Sequence, residues 1–118
     1  MSEVANIQPH EQVLLIAVQK RSLDEESARQ LADKVLTAAA TRPCVPIVLD
    51  MSQVRFAPSA ALGSLVRLSR SFKLDGRRLV LIGVDTRVLG AIKVTRLDAV
   101  LEIYGTLERA LGVMQNKD

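Results

Sequence analysis

Tryptophan is missing from this 118-residue chain, and one tyrosine and two phenylalanines are its only aromatics, so the core it builds must be aliphatic. A lone cysteine, Cys44, excludes an internal disulfide and a cysteine metal cluster. A lone histidine, His10, is the only base open to a Ser-His or Cys-His nucleophile, and it sits beside Pro9 in an expected N-terminal turn. The glycines Gly76, Gly83, Gly90, Gly105 and Gly112 are scattered and form no phosphate-cradling loop. No apolar run approaches a spanning helix, and no charged-then-apolar leader opens the chain. Linkers, repeats and low-complexity tracts are likewise missing. These absences lead us to expect no enzyme activity, no cofactor, no metal, no membrane span and a cytoplasmic address.

What is present reads as one globular domain over residues 1–118. Apolar residues make up 48% of the chain and charged residues 25%, and the formal net charge is +3. Strand-like and helix-like patterns alternate, the sign of an α/β layer fold. Val13 to Val18 is a short apolar run suited to a buried strand. Ser22 with Glu25 three residues on has the form of a capping box, and Ala28, Leu31, Ala32, Val35, Leu36 and Ala39 follow at helical spacing, predicting a helix over 23–40. Thr41-Arg42-Pro43 ends it. A strand is expected over 46–50, a helix over 60–74, and a third strand from Leu79 to Val84 after the Asp75-Gly76 turn. Asp85 can cap a short helix carrying Val88, Leu89 and Ile92. A strand from Val100 to Tyr104 and a final helix carrying Leu107, Ala110, Leu111 and Met114 complete the pattern. Ser2 to Gln8 adds a candidate edge strand, and the polar tail 115–118 is expected to be disordered. Expected core positions are Leu15, Leu31, Val35, Val48, Leu65, Leu81, Leu101 and Leu111.

The segment from Ile47 to Phe72 carries the most information. Ile47-Val48-Leu49 is an uninterrupted apolar strand closed by Asp50, as expected where helices cover both faces. Val54-Arg55-Phe56-Ala57 leads into Pro58-Ser59-Ala60-Ala61-Leu62-Gly63, and apolar residues at helical spacing follow. This stretch resembles the STAS domains, named for sulfate transporters and anti-sigma factor antagonists. Their pattern is an apolar strand ending in Asp, an apolar pair, then Asp-Ser-Ser-Gly-Leu-Gly and a helix. The likeness extends over about residues 12–114: Gly76 to Val84 is similar to the next family strand, and Leu97 to Tyr104 with Thr106 to Leu111 to its closing strand and helix. The signature loop keeps Ser59, Leu62 and Gly63, while Pro58, Ala60 and Ala61 replace the family's Asp, second Ser and Gly.

The resemblance implies a STAS-type mixed β-sheet of four or five strands flanked by about four helices. It also implies a bacterial, non-enzymatic partner switch in transcription regulation. In that scheme the unmodified domain captures an anti-sigma factor or a related GHKL-type serine kinase, and phosphorylation of a loop serine abolishes binding. Carried over, the phosphorylated residue is Ser59. The contact surface is Phe56, Ala57, Pro58, Ser59, Ala60, Leu62 and Gly63, with Asp50 shaping the loop. Two other roles stay open, an auxiliary subunit clamping the ATPase of a lipid-transporting ABC complex and a small-ligand sensor using the same loop.

Each candidate also has a plainer reading. Ser59 can be an N-cap whose oxygen accepts an amide hydrogen from the next turn. Asp50 can simply bond the backbone of the turn after it. Cys44, between Pro43 and Pro46, can be an inert small residue. Asp24-Glu25-Glu26 suits the positive end of a helix dipole. Arg67, Arg70, Lys73, Arg77 and Arg78 read as a solvated helix face. No aromatic accompanies that patch, so a nucleic-acid partner is not expected.

Overall fold

The computed structural model describes residues 4–115. Five strands form one sheet in the order β1-β2-β3-β4-β5: β1 is Ala5–Gln8, β2 Leu14–Val18, β3 Ile47–Asp50, β4 Leu79–Ile82 and β5 Glu102–Tyr104. β1 pairs antiparallel with β2, and every later pair is parallel. The edge strand expected near the N-terminus is therefore real from Ala5 onward, while its expected start at Ser2 lies outside the described residues. The same is true of the tail beyond Gln115.

Each parallel step requires a helical crossover. Helix α1 (Glu25–Thr41) joins β2 to β3, α2 (Ser59–Leu74) joins β3 to β4, and α3 (Thr86–Val94) joins β4 to β5. Because each crossover moves one strand onward in the same direction, the fixed handedness of such units puts all three helices on one face. The packing agrees. Leu14, Ile16, Val18, Ile47, Leu49, Leu79 and Leu81 share one apolar layer with Leu31 and Val35 of α1, Leu65, Leu68 and Phe72 of α2, and Val88 and Ile92 of α3. Alternation sends Val48, Val80 and Ile82 to the opposite face, where α4 (Leu107–Gln115) covers them with Ala110 and Met114.

Several expectations need correction. The capping box does not form: Asp24 is the N-cap of α1, its carboxylate accepting from the Ser27 N–H at 2.8 Å. Ser22 instead lies in an isolated parallel bridge with Phe56, held by a segment more than thirty positions away in the chain. Leu36 fits the helical stripe yet is 47% exposed, at the lip of a groove between α1 and α2. Leu15 and Leu111 are only half-buried, because the nine-residue α4 covers only part of the second face. The last strand is shorter than expected. Leu97–Ala99 forms a 3₁₀ turn, entered through Arg96 at φ 62°, and Val100 is exposed beyond it.

Arg77 and Arg78 do not belong to a solvated face. The Arg77 guanidinium donates to Val45 O from Nε (3.1 Å) and Nη2 (2.7 Å), to Ala39 O (3.0 Å) and to Arg42 O (3.0 Å), and lies 5.5 Å from the Phe72 ring centre. Arg42 does similar work for the turn before β2, donating to the carbonyls of His10, Glu11 and Val13. Arg78 forks onto Glu102, whose carboxylate also accepts from the Tyr104 hydroxyl at 2.7 Å. Only Arg67, Arg70 and Lys73 remain exposed.

Candidate functional site at the opening of the second crossover helix

β2, β3 and β4 are parallel, so the segments that follow them emerge at one end of the sheet, the usual place for sites in such folds. Those segments are residues 19–24, 51–58 and 83–85, and backbone bonds tie them together. Met51 N–H extends the ladder to Ile82 O at 2.9 Å. The Arg21 carbonyl accepts from the N–H groups of Arg55 (2.7 Å) and Phe56 (3.1 Å), and Leu23 N–H donates to Phe56 O at 2.8 Å. Asp50 takes its plainer role, accepting from the Ser52 N–H at 3.0 Å and closing a tight turn at the loop entry. Gly83 sits against that turn at φ 65°, where a Cβ would lie 3.2 Å from the Ser52 Cβ and 3.4 Å from Asp50 Oδ1. Further along, Arg55 Nη1 donates to Ser52 O (2.8 Å) and lies 3.4 Å from Asp85 Oδ2, and Arg87 Nε lies 3.4 Å from Asp85 Oδ1.

The loop is thus fixed from both sides, and it presents an apolar surface. Phe56 is 67% exposed, and Pro58, Ser59 and Ala60 are exposed beside it. Ala57 and Leu62 turn inward, Leu62 completely, so they support this surface from below. Gly63 is half-buried in the second turn of α2, where an added Cβ would meet only the Arg67 tip at 3.6 Å.

Ser59 is not the N-cap. Pro58 occupies that position at φ −66° and ψ 165°, and no side chain caps the helix. Proline meets the conformational demand of a cap while offering no acceptor oxygen. The first helical bond runs from Leu62 N–H to Pro58 O at 3.0 Å, so the N–H groups of Ser59, Ala60 and Ala61 have no partner within the helix. The Ser59 hydroxyl makes no hydrogen bond to any described residue.

The remaining candidates lie elsewhere. His10 Nδ1 accepts from the Gln12 N–H at 3.1 Å at the opposite end of the sheet, on the turn before β2. Cys44 is exposed, with its backbone at φ 79°. Among the described residues no three His, Cys, Asp or Glu side chains gather where a metal ion could be held, and no helix is long and apolar enough to cross a membrane.

A family model for the STAS domain matches residues 5–110, which takes in the whole sheet, the loop and the four helices up to Ala110. The chain belongs to the STAS family. A curated relative from Thermotoga neapolitana, provisionally named an anti-sigma factor antagonist homologue, is 26% identical over 104 residues, covering 88% of this chain and 92% of its own. Among solved structures, an anti-sigma factor antagonist (STAS) domain protein from Planctomyces limnophilus superposes with a TM-score of 0.82 at 25% identity, covering 95% and 98% of the two chains. The anti-sigma factor antagonist SpoIIAA in its unphosphorylated form gives 0.74 at 16% identity, covering 97% and 98%, a likeness of fold. Five strands in a mixed sheet with four helices is the STAS architecture. Within it, the loop from Phe56 to Gly63 holds Ser59 on an exposed helix entry, and the residue before it, Pro58, carries no acidic side chain.

Proposed function

We propose that this STAS protein is a non-enzymatic, cytoplasmic regulator that captures another protein through the loop from Phe56 to Gly63, and that phosphorylation of Ser59 releases that partner. The partner class is an anti-sigma factor or a related GHKL-type serine kinase, in keeping with the antagonist names of the STAS relatives. The observation that carries this reading is the combination of an exposed Phe56 with an unpartnered, exposed serine hydroxyl three residues later. A large aromatic left in water on a rigid loop is the kind of anchor that protein interfaces concentrate their energy on. The small neighbours Pro58, Ser59 and Ala60 let a partner backbone come close with little polar surface to strip of water.

A phosphate on Ser59 would stand beside three N–H groups without helical acceptors and at the positive end of the α2 dipole, a favourable place for an anion. The same dianion in a close apolar contact is costly, because the partner's approach strips away the water that solvates it. One modification would thus be tolerated by the free protein and rejected by the complex. The test is affinity capture from the source cells, mass spectrometry of Ser59, and titration of the recovered partner. Ser59→Asp should weaken binding at least about tenfold with the melting temperature unchanged, and Ser59→Ala should bind nearly normally. Full affinity of Ser59→Asp for that partner would remove the loop from the interface.

A further inference from the structure

We propose that the binding surface is bipartite: beside the Phe56 anchor, the hollow between Arg21 and Arg55 receives a carboxylate from an acidic partner surface. This rests on the reading of the loop as the interface and adds the chemistry of what docks there. The hollow is shallow and polar, about 290 Å³, and is lined by Arg21, Ser52, Gln53 and Arg55.

Its two cations are placed by the backbone. The Ser22–Phe56 bridge and the shared Arg21 carbonyl set residues 21–23 alongside 55–56, so side chains alternate across this short ladder. Phe56 falls on one side of it and the Arg21–Arg55 pair on the other. The hollow and the ring are thus carried by the same two paired segments, Arg55 and Phe56 being chain neighbours.

Among the described residues, the contacts around the hollow leave one cation without an anion beside it. Asp85 is shared by Arg55 and Arg87, each at 3.4 Å, and the Arg21 side chain has no partner among the described residues. Two guanidinium groups thus share one carboxylate, and that of Arg21 contacts none among the described residues. The other neighbouring acids make no contact with Arg21 or Arg55. Asp50 closes the turn at Ser52, Asp24 caps α1, and Glu26 faces Arg29 at 3.6 Å. Two arginines facing one hollow repel each other unless an anion stands between them, and a planar carboxylate matches their donor forks. Arg55 is held in place by Ser52 O and Asp85, so it loses little freedom on binding.

The experiment uses the full chain and the partner recovered by capture, titrated at low and at moderate salt. Arg21→Gln should weaken binding about fivefold and flatten the salt dependence, and Arg21→Glu should weaken it about thirtyfold, both with unchanged melting temperature. Phe56→Ser is measured in parallel to report on the loop itself. If Phe56→Ser abolishes binding while Arg21→Glu does not alter it, the interface stands and the carboxylate receptor is refuted. If neither variant changes affinity, both readings fall. Affinity that rises when Arg21 is made acidic, or a partner whose contacting surface is basic, also overturns the proposal. Competition by inorganic phosphate at low millimolar concentration in the wild type but not in Arg21→Gln would show that the hollow takes free oxyanions rather than a partner's carboxylate, and would overturn it too.

Discussion

Replacing Arg77 with methionine keeps a long apolar stem and removes the guanidinium that closes the end of the molecule opposite the candidate site. In the native fold that group satisfies three carbonyls, those of Ala39, Arg42 and Val45, through four hydrogen bonds, and stacks beside Phe72. Ala39 and Arg42 lie at the C-terminal end of α1, where carbonyls run out of helical partners. A hydrogen bond to a charged group contributes about 1.5–3 kcal/mol, but these acceptors are only partly buried and water can replace some of the loss. The expected cost of Arg77→Met is therefore about 2–4 kcal/mol rather than the sum of four bonds. For a domain of this size that corresponds to a fall in melting temperature of about 8–15 °C. Urea denaturation followed by far-ultraviolet circular dichroism measures it, with an unchanged m-value showing that the unfolding unit is the same. Arg77→Lys should recover less than half, because one ammonium cannot span three carbonyls. Arg70→Met removes the same charge from an exposed position and should stay within about 0.5 kcal/mol. If Arg77→Met is as mild as Arg70→Met, the guanidinium is merely solvated and the reasoning fails.

Leu65 is 2% exposed in the layer between α2 and the sheet, so Leu65→Ala should cost about 2–5 kcal/mol in the same assay through the cavity it leaves. At the β4–β5 edge, burial raises the Glu102 pKa, but hydrogen bonds from Arg78 and Tyr104 outweigh it and hold the carboxyl below its ordinary value. A carboxyl depressed on folding stabilises above its unfolded pKa and loses that contribution as pH falls through the folded one. Melting curves below about pH 4.5 should therefore fall less steeply for Glu102→Gln than for the wild type. An identical slope would show that the Arg78 contact contributes nothing. Gly83→Ala forces an L-residue to φ 65° against Ser52 and should cost about 1–2 kcal/mol or more, with the loss of protection from hydrogen exchange concentrated at Ser52 to Phe56. Uniform exchange across the chain would sink that local account.

The long elements were legible because their periodicity repeats over several turns. A helix expected over 60–74 spans Ser59–Leu74, and one expected over 23–40 spans Glu25–Thr41. Ile47 to Asp50 stood out as a strand for want of any polar interruption. What local pattern could not supply was everything set by distant backbone. Ser22 lost the cap to Asp24 because its own segment is bridged to Phe56. Arg77 and Arg78 are adjacent in sequence, yet one meets carbonyls more than thirty positions earlier and the other a glutamate on the last strand. At the site, the exposure of Phe56 had no periodic signature, and the Arg21–Arg55 hollow exists only because two loops pair. The single available hint was chemical: Arg21 and Arg55 lie in the segments following two successive parallel strands, and Arg87 lies in the first turn of the helix after the third.

The substitutions in the signature loop make physical sense together once the helix start is known. Pro58 stands at the N-cap, where an aspartate would both fill the capping position and place a negative charge beside Ser59. Without that side chain the first turn of α2 has no internal anion competing for its N–H groups. Ala61 is fully buried within the helix, so a glycine there would add flexibility to a position whose backbone is regular and whose methyl packs into the core. Ala60, in place of a second serine, leaves one exposed hydroxyl instead of two. The result is a stiffer helix entry with one exposed hydroxyl and no side-chain cap. Proline, two alanines and the pairing of residues 55–56 with 21–23 all restrict how the loop can adjust. Under the proposed function, recognition by such a loop would depend on complementarity already built into both molecules, with the exposed ring of Phe56 as the feature a partner's pocket would have to match.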